Sequence, residues 1–351
     1  MTKLVIITGG AGFIGYHLAA HLRIVEPDAE IALIDNYSRG VDDEDLRTLI
    51  RDNPLKIWRG DDDLREPIKW AIPASFDEID VYHLAAVNGT ATFYERPADV
   101  LRTNLLALIS VLDFTRALSQ TRAVRILFAS SNEAYASSVD TVMRSNAAGA
   151  PCSWLPTPES IPLSIADVHN PRWSYGGSKL AGELLVNAYA LQHDLNAVIV
   201  RPHNFYGPRS GNGHVIPQML RKIWQRTDPF PIPGYDQTRS FCHVRDGVRA
   251  MTMSMAKADK ASPIYHIGTA TEIAIGALAR RLFGLTGWHP RQIDGDDPPQ
   301  GSVNRRVPDT SKIVRDLGWE PHISLDVGLA ETHQWYLREF QLESHVMHGK
   351  R

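Results

Sequence analysis

Residues 4–15 read LVIITGGAGFIG, and this stretch decides the fold. Leu4 to Thr8 is a short β-branched run, glycines follow at positions 9, 12 and 15, and Ile14, Leu18 and Leu22 recur at helical spacing. This order predicts a strand, a tight glycine turn and a helix. Such glycines let the backbone turn sharply and approach a pyrophosphate at the helix N-terminus. The GxxGxxG spacing matches the general GxGxxG dinucleotide fingerprint only loosely.

A second strand and an acid complete the predicted nucleotide-binding unit. Glu30 to Ile34 is another apolar run, and Asp35 follows it, twenty residues after Gly15. A carboxylate at this position can bind the adenosine ribose hydroxyls and repels a 2'-phosphate. The pattern therefore favours NAD over NADP as the cofactor.

Strands and helices continue to alternate along the first half of the chain. The further predicted elements are strands at Lys56–Trp58, Asp80–Leu84 and Arg125–Phe128 and a helix around Asn104–Leu118. This order is typical of an α/β protein with a doubly wound parallel sheet, the Rossmann arrangement. Ligands of such sheets bind at the carboxyl ends of the strands. The residues that fall at those ends include Gly9, Asp35, Ala85 and Ser131.

Composition excludes several classes of protein. The 351 residues are 43% hydrophobic and 22% charged, which is ordinary for one large domain or a domain with a lobe attached. A formal net charge of -3 gives no reason to expect nucleic acid or an anionic membrane as a partner. Cys152 and Cys242 form neither a disulfide framework nor a CxxC site, which fits a reducing cytoplasm. No apolar run approaches the roughly 18 residues of a membrane span, and the histidines show no metal-binding spacing.

Residues 174–193, SYGGSKLAGELLVNAYALQH, predict one helix that carries Tyr175 and Lys179 on the same face. A free tyrosine has a pKa of about 10, so it can act as a base near neutrality only if a cation stabilises the phenolate. Lys179 is placed to supply that cation. The positions Leu180, Leu184, Ala188 and Leu191 recur at helical spacing and are predicted to bury the neighbouring face.

Seven segments, in order and almost end to end, resemble the extended short-chain dehydrogenase/reductase family. They are TGGAGFIG at 8–15, HLAA at 83–86, SSNEAY at 130–135, YGGSK at 175–179, RPHNFYGP at 201–208, RSFCHVRD at 239–246 and PDTSKIVRDLGWEPHISLDVGL at 308–329. Members of this family are nucleotide-sugar epimerases, 4,6-dehydratases and decarboxylases. The resemblance implies a bound NAD that takes a hydride from the sugar and usually returns it.

Site residues follow from the resemblance, position by position. Tyr175 is expected to be the base for the sugar 4-hydroxyl, Lys179 to lower its pKa and hold the nicotinamide ribose, and Ser131 to orient the hydroxyl. The positions expected at the cofactor are Gly9, Gly12, Phe13, Ile14, Gly15, Asp35, Asn36, Asp61, Asp62, Leu84, Ala85, Ala86, Asn104, Ser130, Tyr175, Lys179 and Pro202. Those expected at the sugar diphosphate are Asn88, Asn132, Asn204 and Arg239, with Arg305 or Arg306 as a second phosphate grip.

The resemblance leaves the reaction that follows C4 oxidation open. A 4-epimerase needs no further acid or base, and epimerisation is the leading expectation. Glu133 could instead abstract the C5 proton in a 4,6-dehydratase or act in a uronate decarboxylase, but Asn132 replaces the acid that would protonate a leaving C6 hydroxyl. A net 4-dehydrogenase or 4-ketoreductase, and a catalytically silent NAD-sensing regulator, are the further alternatives.

The chain is expected to divide into an NAD-binding domain (1–204 plus 240–262), a nucleotide-sugar lobe (205–239 plus 263–345) and a short tail (346–351). An insert at 139–154 is expected to form a loop over the sugar site. His203 and Cys242 lie beside the substrate motifs, and a buried structural role is favoured over proton donation for each. By resemblance, a homodimer formed through the Tyr/Lys helix is expected, with a nucleotide-diphosphate sugar as the small-molecule partner and no metal.

Overall fold

A seven-stranded parallel sheet organises the protein in a computed structural model, which describes residues 2–54, 56–61, 63–135, 138, 154–165, 167–298 and 302–348. The strands are β1 (Thr2–Thr8), β2 (Glu30–Ile34), β3 (Ile57–Gly60), β4 (Phe76–His83), β5 (Ala123–Ala129), β6 (Asn196–Pro202), β7 (Phe205–Tyr206), β8 (Phe230–Pro231), β9 (Thr238–Ser240), β10 (Cys242–His243), β11 (Ile264–Ile267), β12 (Glu272–Ala274), β13 (Ile293–Asp294) and β14 (Arg305–Arg306). The large sheet has the order β11-β6-β5-β4-β1-β2-β3. The predicted doubly wound parallel sheet is confirmed.

Helices cover both faces of this sheet. They are α1 (Phe13–Val25), α2 (Glu44–Arg51), α3 (Thr90–Glu95), α4 (Pro97–Ser119), α5 (Trp173–His193), α6 (Val215–Trp224), α7 (Val244–Met255), α8 (Ile275–Thr286), α9 (Ser311–Leu317) and α10 (Leu325–His348). Alternate residues of β1 enter different cores: Val5 and Ile7 pack under α1 and α7, whereas Leu4 and Ile6 pack under α4 and α5. This double burial explains why the strand reads as a continuous apolar run.

A smaller lobe follows the large sheet. Its three-stranded sheet has the order β12-β9-β14, and its separate core includes Phe230, Leu278 and Tyr336. The predicted boundary at residue 263 is wrong, because β11 pairs with β6 at the edge of the large sheet. Ile313 and Trp319 also pack into the core of the large domain. The lobe is therefore interrupted by segments that pack with the large sheet.

Polar contacts tie the lobe to the chain that follows β2. Arg209 donates to the Asp43 carboxylate at 2.7 Å. Trp335 on α10 donates its indole N–H to Asp45 at 2.7 Å, and Arg338 pairs with the same carboxylate at 3.0 Å. The loop between β2 and α2 is thus held by elements far away in sequence.

The helix that carries Tyr175 and Lys179 buries a different face from the predicted one. Leu184 and Leu191 are 65% and 84% exposed. The buried positions of α5 include Lys179, Gly182 and Val186. A β-carbon at Gly182 would lie 2.6 Å from the Phe128 ring, so this glycine allows the close approach of α5 to β5. The apolar stripe through Leu184 therefore faces outward. In the parts of the chain that are described, no helix is both long and apolar enough to cross a membrane.

Candidate active site

The glycine turn after β1 forms a cradle with room for a phosphate backbone. Gly9 has φ +73°, and a β-carbon there would lie 2.9 Å from the backbone nitrogen of Ala85. A β-carbon at Gly15 would lie 2.2 Å from the Gly9 carbonyl oxygen. Helix α1 begins at Phe13 without a side-chain cap at Gly12, so its first N–H groups can receive an anion. The backbone of Phe13 and Ile14 is therefore placed as predicted for a pyrophosphate site.

Asp35 joins the glycine turn to the next loop. Its carboxylate accepts hydrogen bonds from the backbone nitrogens of Ala11 at 3.0 Å and Tyr37 at 2.9 Å. Burial raises the pKa of Asp35, although these hydrogen bonds oppose the shift. A carboxylate has about four lone-pair sites, so ribose hydroxyls can still bind here. The predicted role of Asp35 fits this geometry.

A cavity of about 390 Å³ lies at the carboxyl ends of β2 and β3. Its lining residues are Tyr37, Asp42, Arg59, Gly60 and Asp61. Asn36 lies nearby on the exposed loop, where its side chain accepts from Ser38 N at 3.1 Å. Asp61 is thus at the wall of a space suited to the adenine end of a dinucleotide, while Asp62 lies outside the described residues.

Several predicted cofactor residues shape the site through the backbone. Leu84 donates its N–H to Thr8 O at 3.2 Å, and Ala85 donates to the Thr8 hydroxyl at 3.3 Å. Ala86 follows on the same strand end, and Pro202 ends β6. The Ser130 hydroxyl is instead engaged by the buried Glu183 carboxylate at 2.5 Å. Together the cradle, Asp35 and the cavity fit a dinucleotide.

Asn104 stabilises the protein part of this site. Its Oδ1 accepts from Val87 N at 2.7 Å, and its Nδ2 donates to Val87 O at 3.1 Å and to the Ser178 hydroxyl at 3.0 Å. The carboxamide therefore fastens the loop after β4 to α5. Both of its polar atoms are used by the protein, which indicates a positioning role rather than the predicted cofactor contact.

Ser131, Tyr175 and Lys179 meet at the carboxyl end of β5. The Ser131 hydroxyl accepts from Glu133 N at 3.1 Å, and it lowers the pKa of the Tyr175 phenol. Lys179 donates to Ala129 O at 2.7 Å, and its ammonium lies 5.6 Å from the centre of the Tyr175 ring. Helical spacing predicted that Tyr175 and Lys179 share a face, whereas Ser131 was expected beside them only from the resemblance.

The electrostatics of this trio differ from the prediction. Burial raises the pKa of Tyr175 to about 12, against hydrogen bonds from Ser131 and Asn88 and the positive charge of Arg39. Burial also lowers the pKa of Lys179 to about 7, although Glu183 opposes this shift. Lys179 is therefore only partly charged near neutrality, and the phenol is protonated in this structure. Arg39, which the sequence reading did not identify, is the cation that lowers the pKa of Tyr175 here.

Glu133 is held by two arginines at the other side of Tyr175. Its Oε1 accepts from Arg306 at 2.8 Å and from Arg172 at 3.3 Å. Burial alone would raise the pKa of Glu133, but the charges of Arg306 and Arg172 outweigh it and lower the pKa to about 2. A β-carbon at Gly176 would lie 2.6 Å from the Glu133 carbonyl oxygen, so this cluster packs directly against the residue after Tyr175.

Among the described residues, Arg306 and Arg172 both pair with the Glu133 carboxylate. The side chains of Arg306, Arg172 and Glu133 are only 7%, 9% and 15% exposed. Arg306 also donates to Asn132 Oδ1 at 3.2 Å. Within the described parts of the chain, Asn132 Nδ2 and Arg172 Nε are buried donors without a hydrogen-bond partner. The arrangement can therefore receive an anionic group. Arg172, three residues before Tyr175, was not identified from sequence.

Strand β14 separates the two candidate arginines. Arg306 pairs in register with Arg239 of β9, so both side chains point to one face, and both act on Glu133. Arg305 points to the other face, where it pairs with Glu272 at 2.7 Å and is 47% exposed. Neighbouring residues of a strand face opposite ways. Of these two arginines, only Arg306 can therefore act as the predicted second phosphate-binding arginine. The Arg239 guanidinium also donates to backbone carbonyls, including Thr238 O at 2.7 Å.

The remaining predicted residues have structural contacts. Asn204 donates to Ser240 O at 2.8 Å and so ties β6 to β9. His203 is fully buried and hydrogen bonds Tyr135 at 2.7 Å, and burial lowers its pKa well below the usual range. Cys242 is also fully buried, and burial raises the pKa of its thiol. These positions agree with the structural roles favoured above for His203 and Cys242. Residues 139–153 of the predicted insert lie outside the described residues.

Known proteins resemble this chain along most of its length. The model of the "NAD dependent epimerase/dehydratase family" matches residues 5–268. A UDP-N-acetyl-alpha-D-glucosaminuronate decarboxylase from Bacillus cytotoxicus is 30% identical over 96% of this chain and 98% of that protein. A dTDP-glucose 4,6-dehydratase from an Actinoplanes species is 28% identical over 95% of this chain and 97% of that protein.

A solved structure shares the fold. The UDP-glucose 4-epimerase from Thermotoga maritima, determined with UDP-glucose, superposes with a TM-score of 0.76 at 24% identity. The match covers 96% of this chain and 99% of that one. The curated relatives named above are thus a decarboxylase and a dehydratase, and the epimerase shares the fold.

Proposed function

The chain belongs to the NAD dependent epimerase/dehydratase family, and from this premise we propose that it is a nucleotide-sugar decarboxylase. In this proposal a nucleoside-diphosphate uronic acid is oxidised at C4 and then loses C6 as carbon dioxide. The family consists of NAD-dependent enzymes, so the alternative of a silent NAD-sensing regulator is set aside. The nucleotide base is left open, and a cytoplasmic location is part of the proposal.

The observation that carries the proposal is the buried cluster of Glu133, Arg172 and Arg306. Within the described parts of the chain, two guanidiniums bind the Glu133 carboxylate, and Arg172 Nε and Asn132 Nδ2 are buried donors without a hydrogen-bond partner. Leaving buried donors without a partner is costly, and an anionic group bound there would supply the missing acceptors. A uronate differs from a neutral hexose by its C6 carboxylate, and arginine is well suited to binding carboxylates. The cluster therefore favours a uronate substrate.

Bound NAD supplies the hydride acceptor for C4 and the donor that later restores it. Ser131 orients the 4-hydroxyl, and the ionised form of Tyr175, which the nearby cations favour, takes its proton. The resulting C4 ketone is β to the C6 carboxylate, so the C5–C6 bond can break and leave its electron pair on the ketone oxygen as an enolate. The Tyr175 hydroxyl, now protonated, stabilises that oxygen, and the enolate takes a proton from solvent at C5. Return of the hydride to C4 and of the Tyr175 proton to its oxygen then gives the nucleotide pentose.

Dehydration is less well supported. A carboxylate with a pKa of about 2 is a weak base for a C5 proton, and Asn132 cannot protonate a leaving hydroxyl. Epimerisation at C4 is the second candidate, because a 4-epimerase needs no base beyond the one that takes the proton of the C4 hydroxyl. Epimerisation of a uronate would use the same arginines while keeping C6 in place.

A comparison of two substrates tests the proposal. The purified protein is offered a nucleoside-diphosphate uronate and the matching neutral hexose, and products are identified by mass spectrometry. We expect turnover of the uronate only, with no stoichiometric NADH release. Equal or better turnover of the hexose, or stoichiometric NADH, would contradict the proposal and favour epimerisation or net dehydrogenation.

Arginine variants sharpen this comparison. Arg306→Gln removes a carboxylate contact and should lower uronate kcat/KM by about 10- to 100-fold, the usual effect of losing one hydrogen bond to a charged group. Arg305→Gln is the matched control, because its side chain pairs with Glu272 on the opposite face of the same strand. A similar loss in both variants would mean that the effect is structural.

A further inference from the structure

The segment that follows β2, residues 37–45, forms part of the wall of the cavity suited to the adenine end of the dinucleotide. Tyr37 and Asp42 of this segment line the cavity. Between them, Val41 donates its N–H to the carbonyl oxygen of Ala11 in the glycine turn at 3.2 Å. The position of segment 37–45 therefore determines the shape of the cofactor site.

A buried arginine from the stretch after β7 holds the second half of segment 37–45. The side chain of Arg209 is 4% exposed, and it donates to Asp43 Oδ2 at 2.7 Å and to Val41 O at 3.1 Å. The other oxygen of Asp43 accepts from Leu46 N at 2.9 Å and so caps α2. This arginine thus joins the segment to the start of the lobe.

Helix α10 of the lobe holds the end of the same segment. Trp335 donates its indole N–H to Asp45 Oδ2 at 2.7 Å, although the two residues are 290 positions apart in the chain. One nitrogen of the Arg338 guanidinium lies 3.1 and 3.0 Å from the two oxygens of that carboxylate. Trp335 also packs against the core of the lobe. The position of Asp45 is therefore set by the lobe.

These contacts bear on how strongly a ligand is held in the cavity. A loop that is free before binding loses conformational freedom when it closes on a ligand, and this loss weakens binding. Segment 37–45 is already fixed by Arg209 and α10, so this loss is reduced. A hydrogen bond to a charged group is among the stronger polar contacts, which makes the bond from Trp335 to Asp45 the main contribution of α10.

We propose that Trp335 and Arg338 are positioning residues for the bound NAD, which act through Asp45 to keep segment 37–45 in its ligand-binding position. The lobe thereby also sets how long the protein retains its cofactor. This inference depends on NAD binding at the cavity and is independent of the reaction proposed for the sugar.

The test measures cofactor dissociation and needs no turnover. The double variant Trp335→Phe/Arg338→Gln keeps an aromatic ring and a polar side chain but removes the indole donor and the positive charge. NADH bound to each protein is displaced by excess NAD, and the loss of its fluorescence gives the dissociation rate. We expect dissociation about tenfold faster in the double variant, because a hydrogen bond to a charged group is lost. The affinity for ADP, measured by calorimetry, should fall by a similar factor.

Arg221→Gln is the matched control, because Arg221 pairs with Glu343 of the same helix at 3.0 Å rather than with Asp45. Its NADH dissociation rate and ADP affinity should match those of the unchanged protein. Unchanged dissociation in the double variant, or equal acceleration in the control, would overturn the proposal.

A milder variant decides the question if the double variant does not fold. The Arg338 side chain is 53% exposed, so Arg338→Gln is compatible with folding. It removes one partly exposed ion pair and should speed NADH dissociation about threefold. A rate equal to that of Arg221→Gln would contradict the proposed role of α10.

Discussion

Lys179 carries an electrostatic cost that a pH titration of stability can detect. Burial lowers its pKa from 10.5 to about 7 in the folded protein. Between these values the unfolded chain binds the proton that the folded protein has lost, so stability rises with pH across this range. The rise from this one group is about 5 kcal/mol at most. We expect this rise in stability with pH to be absent from Lys179→Met when free energies of unfolding are measured from pH 7 to pH 10.5.

The control for this prediction is Lys260→Met, because Lys260 is 61% exposed and pairs with Asp194 at the surface. Its stability curve should parallel that of the unchanged protein. If the stability curve of Lys179→Met also parallels that of the unchanged protein, the pKa of Lys179 is not lowered by burial.

At the residue scale, sequence spacing predicted which residues share a helix face but not which residues of other elements contact them. Tyr175 and Lys179 were placed together because helix geometry fixes residues four apart. The partners of Glu133 could not be predicted, because Arg172 and Arg306 come from α5's start and from β14. The pKa of Tyr175 could not be predicted either, since burial and the position of the Arg39 charge are set by the folded loops.

At the scale of single elements, the glycine turn gives the sharpest prediction. A β-carbon at Gly15 would lie 2.2 Å from Gly9 O and 2.8 Å from Gly10 Cα, both backbone atoms that cannot move aside easily. We expect Gly15→Ala to lower the free energy of unfolding by about 2 kcal/mol or more. The variant should also lose NAD binding, measured by calorimetry.

Gly284→Ala is the matched control for this change. Gly284 lies inside α8, and nothing within 4 Å would meet its β-carbon. Alanine there should stabilise the protein by about 0.5 to 1 kcal/mol, because glycine is a poor helix former. A loss of stability in Gly284→Ala, or none in Gly15→Ala, would contradict the assigned roles of the two glycines.

Elements of the large sheet were predictable because their local signals agree with the fold. The predicted strand at Glu30–Ile34 has the observed bounds, and the helix at 174–193 begins one residue late. The buried face of that helix was not predictable. Helical spacing identifies an apolar stripe, but it does not say whether the chain itself or another protein covers it.

For the whole molecule, this outward stripe leads to a prediction about assembly. Leu184 and Leu191 of α5 and Leu101 of α4 are 65%, 84% and 38% exposed on the helix pair expected to form a homodimer. We expect the protein to sediment at twice its 39.1 kDa chain mass, and Leu184→Glu to sediment at the chain mass. Leu342→Glu, at a 55% exposed site on α10, should remain dimeric. A monomeric unchanged protein would contradict this prediction.

The proposed decarboxylation requires that a uronate loses C6 after its C4 is oxidised. The direct measurement uses a nucleoside-diphosphate uronate labelled with ¹³C at C6, incubated with the purified protein and NAD and followed by NMR and mass spectrometry. We predict labelled carbon dioxide and an unlabelled nucleotide pentose in equal amounts. A nucleotide uronate of unchanged mass that keeps its label, with the configuration at C4 inverted, would contradict decarboxylation.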